Sequence, residues 1–379
     1  MRDVIVVGAG PSGSYASYAL SSKGYDVLNL EEHMEIGKPV ECTGLVSRRV
    51  TEMVRTGSVV NTVSGAHIFF PNGKSIHVHK KEKTMVLNRD SFDKDAAGQS
   101  IAAGTDLRID ARLRKASVSK DGVTVEYRER GNLKEERARI IIGADGMNSM
   151  VRKEVFGTRP YRVISAYQVD SAARLEDQDS VQVFVGSDVT RGFFGWATPS
   201  DNLTRIGVGT HGGASFRYFK SLNSRFGESK ILGINGGGIP ISYLRKTYSR
   251  RAMLVGDAAG IVKPLSGGGI YTGMVSGKHA AATAVDALER EDFSESAMSA
   301  YQRLWKKDLG NELWFDGMFQ RLFSMISDRS FNRIYSILSS PEVIEKINER
   351  GDIDYPSRVV ISLLARRPWL LRHIIQSKS

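Results

Sequence analysis

Six residues near the N-terminus, Gly8-Ala9-Gly10-Pro11-Ser12-Gly13, have the spacing of a turn that binds a dinucleotide. Gly8 permits a tight turn. Gly10 lets the backbone approach a pyrophosphate, and Gly13 lets a helix pack closely on a strand. A helix beginning here presents free N–H groups and a partial positive charge to phosphate. Glu31, at the end of the next apolar run, can accept hydrogen bonds from ribose hydroxyls. Taken alone, the turn leaves NAD and FAD equally open.

Four further places carry side chains suited to chemistry. Asp145 lies in Gly143-Ala144-Asp145-Gly146 and Asp257 in Gly256-Asp257-Ala258-Ala259, each acid just after a short apolar run. Cys42 is the single cysteine, within Pro39-Val40-Glu41-Cys42-Thr43-Gly44. Its thiol can hold a proton, or it can serve as a small buried hydrophobe. Trp196 lies in Phe194-Gly195-Trp196-Ala197-Thr198-Pro199. An aromatic strand face of this kind is often plain core.

The elements around these residues read as α/β with α+β parts. Val4-Ile5-Val6-Val7 is a β-branched run suited to a strand buried on both faces of a parallel sheet. A helix follows over 14–23, stopped by Gly24, and then a second strand over 25–30. Residues 63–86 alternate around Pro71-Asn72-Gly73, which predicts antiparallel strands. A helix is expected over 89–103, then strands over 107–109, 113–119 and 123–128, with Asp121-Gly122 as a hairpin turn. The run 139–142 leads into the Asp145 motif. Strands are expected again over 163–169, 181–185, 192–197 and 205–210, and a strand through Met253 enters the Asp257 loop. A long helix rich in small residues follows over 268–288, and the chain reads as helical from Glu295 onward. The expected organisation is a discontinuous nucleotide-binding domain (1–60, 87–160 and 250–290). A β-sheet substrate domain (61–86 and 161–249) and a helical C-terminal region (291–379) complete it.

The composition bounds the function. With 379 residues the chain can bury a large core in two joined domains. One cysteine excludes an intrachain disulfide framework or a Cys-ligated iron–sulfur cluster and suits a reducing cytosol. No set of His, Cys, Asp and Glu has zinc-site spacing, so no metal is expected. The N-terminal apolar run is too short for a secretory leader, and no run reaches the ~20 residues that span a bilayer. A net charge of +11 suits an anionic partner, or simply solubility. Nucleic acid is not expected, because no motif or basic-aromatic stripe accompanies the charge.

Together the three glycine motifs resemble the flavoprotein superfamily of p-hydroxybenzoate hydroxylase. The third continues as Pro264-Leu265-Ser266-Gly267-Gly268-Gly269-Ile270. With Glu35-Ile36-Gly37-Lys38-Pro39-Val40-Glu41-Cys42-Thr43-Gly44 and Leu87-Asn88-Arg89-Asp90-Ser91-Phe92-Asp93, the whole chain is similar to the archaeal geranylgeranyl reductase family, digeranylgeranylglycerophospholipid reductases among them. That resemblance implies a Rossmann-type FAD-binding domain and FAD as cofactor. It places Gly8, Gly10, Ser12, Gly13 and Glu31 at the ADP half and Arg89 at the pyrophosphate or ribose. Leu113 would meet the adenine side through its backbone. Asp257 would lie at the ribityl or pyrophosphate part, and Gly268, Gly269 and Ile270 at the pyrimidine edge of the flavin. There a helix N-terminus favours the negative charge of reduced flavin. Cys42, Thr43 and Gly44 would lie near the flavin, with Cys42 a candidate for proton supply and Trp196 for lining the substrate cavity. The family's Tyr-x-Trp-x-Phe-Pro segment has Phe194 and Thr198 at its variable positions here, and Ser200 stands where Lys often follows.

The implied reaction is saturation of C=C bonds in geranylgeranyl chains of archaeal membrane glycerophospholipids. A polyprenyl-quinone side-chain reductase, or a flavin monooxygenase or halogenase, would share the fold. An external electron donor is implied: NAD(P)H, ferredoxin or another low-potential carrier. Trp305, Leu309, Leu313, Trp314, Met318, Phe319 and Phe323 recur at helical spacing and suit packing on the protein itself. From Tyr355 onward five Lys/Arg and no acid accompany Val359, Ile361, Leu363, Leu364, Trp369, Leu370 and Leu371. A basic amphipathic stretch of that kind can lie on an anionic bilayer. The expected location is cytoplasmic, with the inner face of the cell membrane as a docking surface.

Overall fold

The computed structural model describes residues 1–158 and 162–366, the last four as backbone only. Among the described residues, two eight-stranded sheets and a helical C-terminus make up the molecule. The first part of the chain runs β1 (Arg2–Val7), α1 (Pro11–Ser21), β2 (Val27–Leu30), β3 (Leu45–Val46), α2 (Arg48–Met53), β4 (Val59–Phe69), β5 (Ser75–Leu87) and α3 (Arg89–Ala102). Next come β6 (Asp106–Arg108), β7 (Ala111–Val118), β8 (Val123–Glu129), β9 (Asn132–Gly143), β10 (Val163–Ser171), β11 (Ser180–Phe184), β12 (Gly195–Ser200) and β13 (Leu203–Thr210). Then follow α4 (Ser215–Asn223), β14 (Ile231–Pro240), β15 (Tyr248–Ser249), β16 (Ala252–Leu254), α5 (Gly256–Ala259) and α6 (Ile270–Glu289). The C-terminal helices are α7 (Glu295–Trp305), α8 (Asn311–Phe323), α9 (Asp328–Leu338), α10 (Pro341–Arg350) and α11 (Ser357–Arg366).

The first sheet has the path β15-β16-β9-β1-β2-β6, with the β7–β8 hairpin joined to β9. Its central pairs, β1 with β2 and with β9, are parallel. Val4, Ile5 and Val6 are fully buried, as are Ile140, Ile141 and Ile142 beside them. Helices α1 and α6 and the β7–β8 hairpin, through Leu113, Val125 and Tyr127, pack into the same core, which is why these strands are continuously apolar. The second sheet runs β14-β10-β13-β12-β11-β4-β5-β3. All its pairs are antiparallel except β11 with β4.

β14 escaped the sequence reading because Gly236-Gly237-Gly238 does not look like a strand. The structure gives the reason for the glycines. A Cβ on Gly238 would lie 2.1 Å from Met147 Sδ, and one on Gly237 would lie 3.3 Å from Glu41 Oε2. The side chains of Met147 and Glu41 meet this strand at close range, which leaves little room for side chains of its own.

The apolar stripe over 305–323 mostly packs inward. Trp305, Leu309 and Leu313 belong to the main core, whereas Trp314 stays 56% exposed. Further on, Phe331 of α9 packs with Phe70, Ile76 and Val185 on the second sheet. α11 lies against α8 and α10. The basic stretch from residue 367 to the end, with Trp369, Leu370 and Leu371, lies outside the described residues.

One feature of α8 has a pH signature. Asp316 is fully buried, and among the described residues both its oxygens lack a hydrogen-bond donor. Burial pushes its pKa up to about 8, with the neighbouring Glu312 raising it and Lys263 opposing. A proton on Asp316 lets it donate to an otherwise repelling carboxylate. The folded form therefore holds this proton at a pH where the unfolded chain has lost it. Its contribution is full below about pH 4 and is lost as pH rises through about 8. Asp316→Asn should remove that slope. In thermal unfolding, the variant should gain several degrees over the parent at pH 8 and little at pH 5; equal shifts at both would contradict the assignment.

Candidate functional site

The glycine turn occupies the expected place, between β1 and α1. Gly8 has φ +99°, and a Cβ there would lie 2.4 Å from Ala144 O. One on Gly13 would lie 2.0 Å from Gly8 O. Both positions are closed by the protein itself. Gly10 differs: a Cβ there would meet nothing within 4 Å. Its missing side chain leaves open space, as a phosphate requires. Gly10 also begins α1 with no side-chain cap and no acid in the first turn. The orphan N–H groups there suit an anion. Glu31 is 9% exposed and accepts from Ala9 N at 2.8 Å and from His33 N at 2.9 Å. Its neighbour Glu32 instead pairs with Arg112 near solvent. Leu113 has its side chain in the core. A register shift between Leu113 and Lys115 loosens the β7–β8 ladder there.

The three motifs converge on α1. A Cβ on Gly256 would lie 2.6 Å from Ser12 Oγ, and one on Gly273 would lie 2.3 Å from it. A Cβ on Gly277 would lie 2.5 Å from Ser12 O. The small residues of α6 thus admit α1, with Ser12 held in the seam. Arg152, 3% exposed, donates to Met147 O at 2.5 Å and to Ala258 O at 3.2 Å, tying the second motif to the third. Asp145 accepts from Ser149 Oγ at 2.5 Å and Val151 N at 3.0 Å. That makes it the brace of its own turn.

Asp257 is different. It is half-buried, and no hydrogen bond reaches its carboxylate among the described residues. Its Oδ1 lies 3.0 Å from where a Cβ on Gly269 would sit, at the start of α6. Burial raises its pKa to about 6, with Arg89 lowering it and Glu41 raising it. α6 begins at Gly269 with no side-chain cap and no acid in its first turn, so the N–H groups at Ile270 are uncapped. Arg89 opens α3 and grips Asp93 at 2.9 and 2.8 Å. Burial works against its charge, but Asp93 and Cys42 hold its pKa up. Desolvation raises the pKa of Glu41. Gly268 lies on the stem of Lys263, whose Nζ donates to Ile353 O at 2.6 Å and Asp354 Oδ1 at 3.1 Å. Arg49 binds Asp352 and Asp354, so segment 352–354 is strapped across this loop.

Cys42 and Trp196 meet through Gln168, a residue the sequence reading passed over. Gln168 Oε1 accepts from Thr43 Oγ1 at 2.7 Å and from Trp196 Nε1 at 2.9 Å. Its Nε2 donates to Cys42 O at 3.4 Å. The indole lies across Gly207, where a Cβ would approach it to 2.5 Å. Cys42 Sγ accepts from Gly44 N at 3.3 Å. A Cβ on Gly44 would meet Leu87 O at 2.4 Å. Arg205 donates to Thr43 O at 2.5 Å and Leu87 O at 2.8 Å, binding this loop to the second sheet. Burial lowers the Arg205 pKa.

The residues present fit FAD. An open, uncapped helix terminus suits phosphate, an unclaimed carboxylate stands near a second uncapped helix, and Cys42 lies beside Arg89. Residues 1–213 match the family model described as an FAD binding domain. Over 98% of both chains, the sequence is 30% identical to digeranylgeranylglycerophospholipid reductase 2 of Methanopyrus kandleri. A geranylgeranyl bacteriochlorophyll reductase-like protein from Thermoplasma acidophilum superposes with a TM-score of 0.84 at 26% identity, covering 96% of this chain and 98% of that one. A p-nitrophenol 4-monooxygenase from Pseudomonas putida DLL-E4 shares the fold, with a TM-score of 0.72 at 15% identity over 94% of this chain and 98% of that one.

The glycine geometry separates binding from folding. Gly10→Ala should leave the cofactor-free protein's stability within about 0.5 kcal/mol of the parent yet lower FAD affinity at least tenfold. Gly13→Ala should instead cost about 1–3 kcal/mol of stability. Thermal unfolding and fluorescence titration of FAD check both. An unaltered FAD affinity in Gly10→Ala would show that the open space does not serve the cofactor.

Proposed function

The chain belongs to the digeranylgeranylglycerophospholipid reductase family of FAD-binding proteins, and on that premise we propose that it saturates C=C bonds of geranylgeranyl chains in membrane glycerophospholipids. The reading is carried by end-to-end likeness to a reductase of that name, which includes the helical C-terminus as well as the FAD-binding part. It is an FAD-dependent oxidoreductase.

The cofactor, when reduced, supplies the hydride for alkene saturation. The protein's part is to hold both partners and a proton. In this reading Gly8 to Gly13 and the α1 N-terminus would hold the pyrophosphate, Glu31 the ribose, and Arg89 would reach the pyrophosphate or ribose region. Asp257 would take a ribityl hydroxyl, and Gly268, Gly269 and Ile270 would offer backbone N–H groups to the pyrimidine part. Reduced flavin is electron-rich there, and the N-terminal end of a 20-residue helix favours that charge. An isolated alkene accepts hydride poorly, so it must be placed tightly with water excluded. Trp196 supplies an apolar wall. Gln168 fixes that wall relative to Cys42, whose thiol holds the proton for the second alkene carbon.

We assign cofactor binding to residues 1–60, 87–160 and 250–290, and substrate binding to 61–86 and 161–249. The described helices from Glu295 to Arg366 lie beside them. The enzyme requires a prenylated lipid and an electron donor; NAD(P)H, ferredoxin and another low-potential carrier are the candidate classes. No helix among the described residues is long and apolar enough to cross a membrane. We infer peripheral contact with the inner face of the cell membrane, supported by the basic, acid-free sequence after Tyr355.

Dithionite-reduced, FAD-loaded enzyme given a geranylgeranylated glycerophospholipid should yield lipid heavier in steps of two hydrogens by mass spectrometry. Unchanged lipid alongside a reduced polyprenyl-quinone would move the substrate assignment, and oxygen-dependent hydroxylation would overturn the reductase reading. Cys42→Ala should retain FAD while turnover falls about 10²-fold. Turnover equal to the parent would remove the thiol from the proton path.

A further inference from the structure

Three of the seven histidines, His67, His77 and His79, lie on two paired strands far from any role in the reductase reading. β4 and β5 are antiparallel, and their register sets His67 directly opposite His77. The rings stack with centroids 4.2 Å apart and planes 10° from parallel. On its other side β4 pairs with β11, and the connection leading into β11 brings Asp177 against the same spot. His67 Nε2 lies 3.0 Å from Asp177 Oδ2. One ligand atom from each of His67, His77 and Asp177 falls within 4.8 Å of the other two. We propose that these three residues form a binding site for a divalent transition-metal ion, with Zn²⁺ the best match, which clamps β4, β5 and the segment before β11.

The donor set selects the ion. Two imidazoles and one carboxylate suit zinc and its transition-metal neighbours, whereas magnesium and calcium prefer oxygen alone. Bonds of about 2.0–2.2 Å to a tetrahedral zinc put donor atoms about 3.3–3.5 Å apart. The ligand atoms now lie within 4.8 Å of one another, and exposed His77 leaves room for water as a fourth ligand.

The surroundings are arranged around these donors. Asp177 Oδ1 accepts from Asp179 N at 2.9 Å, which fixes the carboxylate while leaving Oδ2 toward His67. His77 Nε2 lies 3.2 Å from Ser180 Oγ. A Cβ on Gly65 would sit 2.7 Å from His77 Nε2 and 2.3 Å from Ser180 Oγ, so that glycine makes room for the ring. Outer contacts of this kind orient metal ligands. Strand alternation puts His67 and Trp196 on opposite faces of the second sheet, since Trp196 opposes Val183 and Val183 opposes Ile68. The metal site is therefore structural and separate from the reductase site.

The test uses the full-length, untagged, FAD-loaded protein. Titration with ZnCl₂ against a chromophoric chelator should show one equivalent bound at about 10 µM or tighter, with Zn²⁺ raising the thermal midpoint. His77→Ala and Asp177→Asn should each weaken binding at least tenfold and abolish the midpoint shift, with an unchanged flavin spectrum confirming the fold. His279→Ala, at a His–Asp pair elsewhere, should bind as the parent does. No saturable binding below about 1 mM, or parent-like binding in both site variants, would overturn the proposal.

Discussion

The molecule depends on how closely helix α1 approaches helix α6. Ser12 sits where Gly256, Gly273 and Gly277 leave no room for a Cβ, each missing atom being 2.3–2.6 Å from Ser12 atoms. Two turns of chain more than 240 residues apart are thereby pressed together, backbone against backbone. A methyl group at such a point forces off-rotamer side chains or a backbone shift, at about 1–3 kcal/mol. The same intimacy recurs between Gly8, Gly13 and Ala144. The three motifs are one object in space because their glycines allow no other spacing. Arg152 then fastens the second to the third through carbonyl oxygens.

One loop joining this seam to the second sheet is that of Cys42. The segment ending in Cys42, Thr43 and Gly44 is gripped by Gln168 from β10 and by Arg205 from β13. Arg205 carries a buried charge, yet its Nη1 finds two carbonyl oxygens, and Asp170 lies 3.5 Å from Nε. Satisfaction of this kind offsets the cost of removing a cation from water. The loop is thus fixed relative to Trp196 on one side and to Arg89 and Asp257 on the other. Trp196, Cys42 and Arg89 are thereby tied into one network.

Much of this was legible in the residues. The β-branched run 4–7, the glycine turn and Glu31 announced a strand–turn–helix unit because each glycine answers a distinct steric demand. The hairpin at Asp121-Gly122 and the helix from Arg89 followed from local turn and cap chemistry, with Asn88 accepting from Ser91 N as a cap should. What stayed hidden was set by distance. Gln168 is an ordinary strand residue until Thr43 and Trp196 are brought to it. β14 hid its strand character behind glycines required by Met147, which belongs to another sheet's loop. The strap at 352–354 shows as three unremarkable residues, because Arg49 and Lys263 are remote in sequence. The metal-ligating triad hid for the same reason: His67 and His77 are linked by register, and Asp177 by topology.

Asp145 and Asp257 show how far local sequence can go. Each follows a buried strand beside glycine, and a reading by motif treats them alike. Their difference lies in what the neighbouring backbone offers. Asp145 is followed by Ser149 and Val151, whose O–H and N–H turn back and consume its oxygens. Asp257 is followed by Ala258 and Ala259 and then by Gly260 in the left-handed region, and that turn is closed by backbone alone, with Gly260 N donating to Asp257 O. Nothing local competes for the Asp257 carboxylate, which is left toward the start of α6 with Arg89 near enough to favour its charge. A hydroxyl short enough to reach both that carboxylate and the uncapped helix end would satisfy the two at once. The ribityl chain of a flavin has hydroxyls of that kind. The capacity to bind therefore resides in the acid whose turn does not need it.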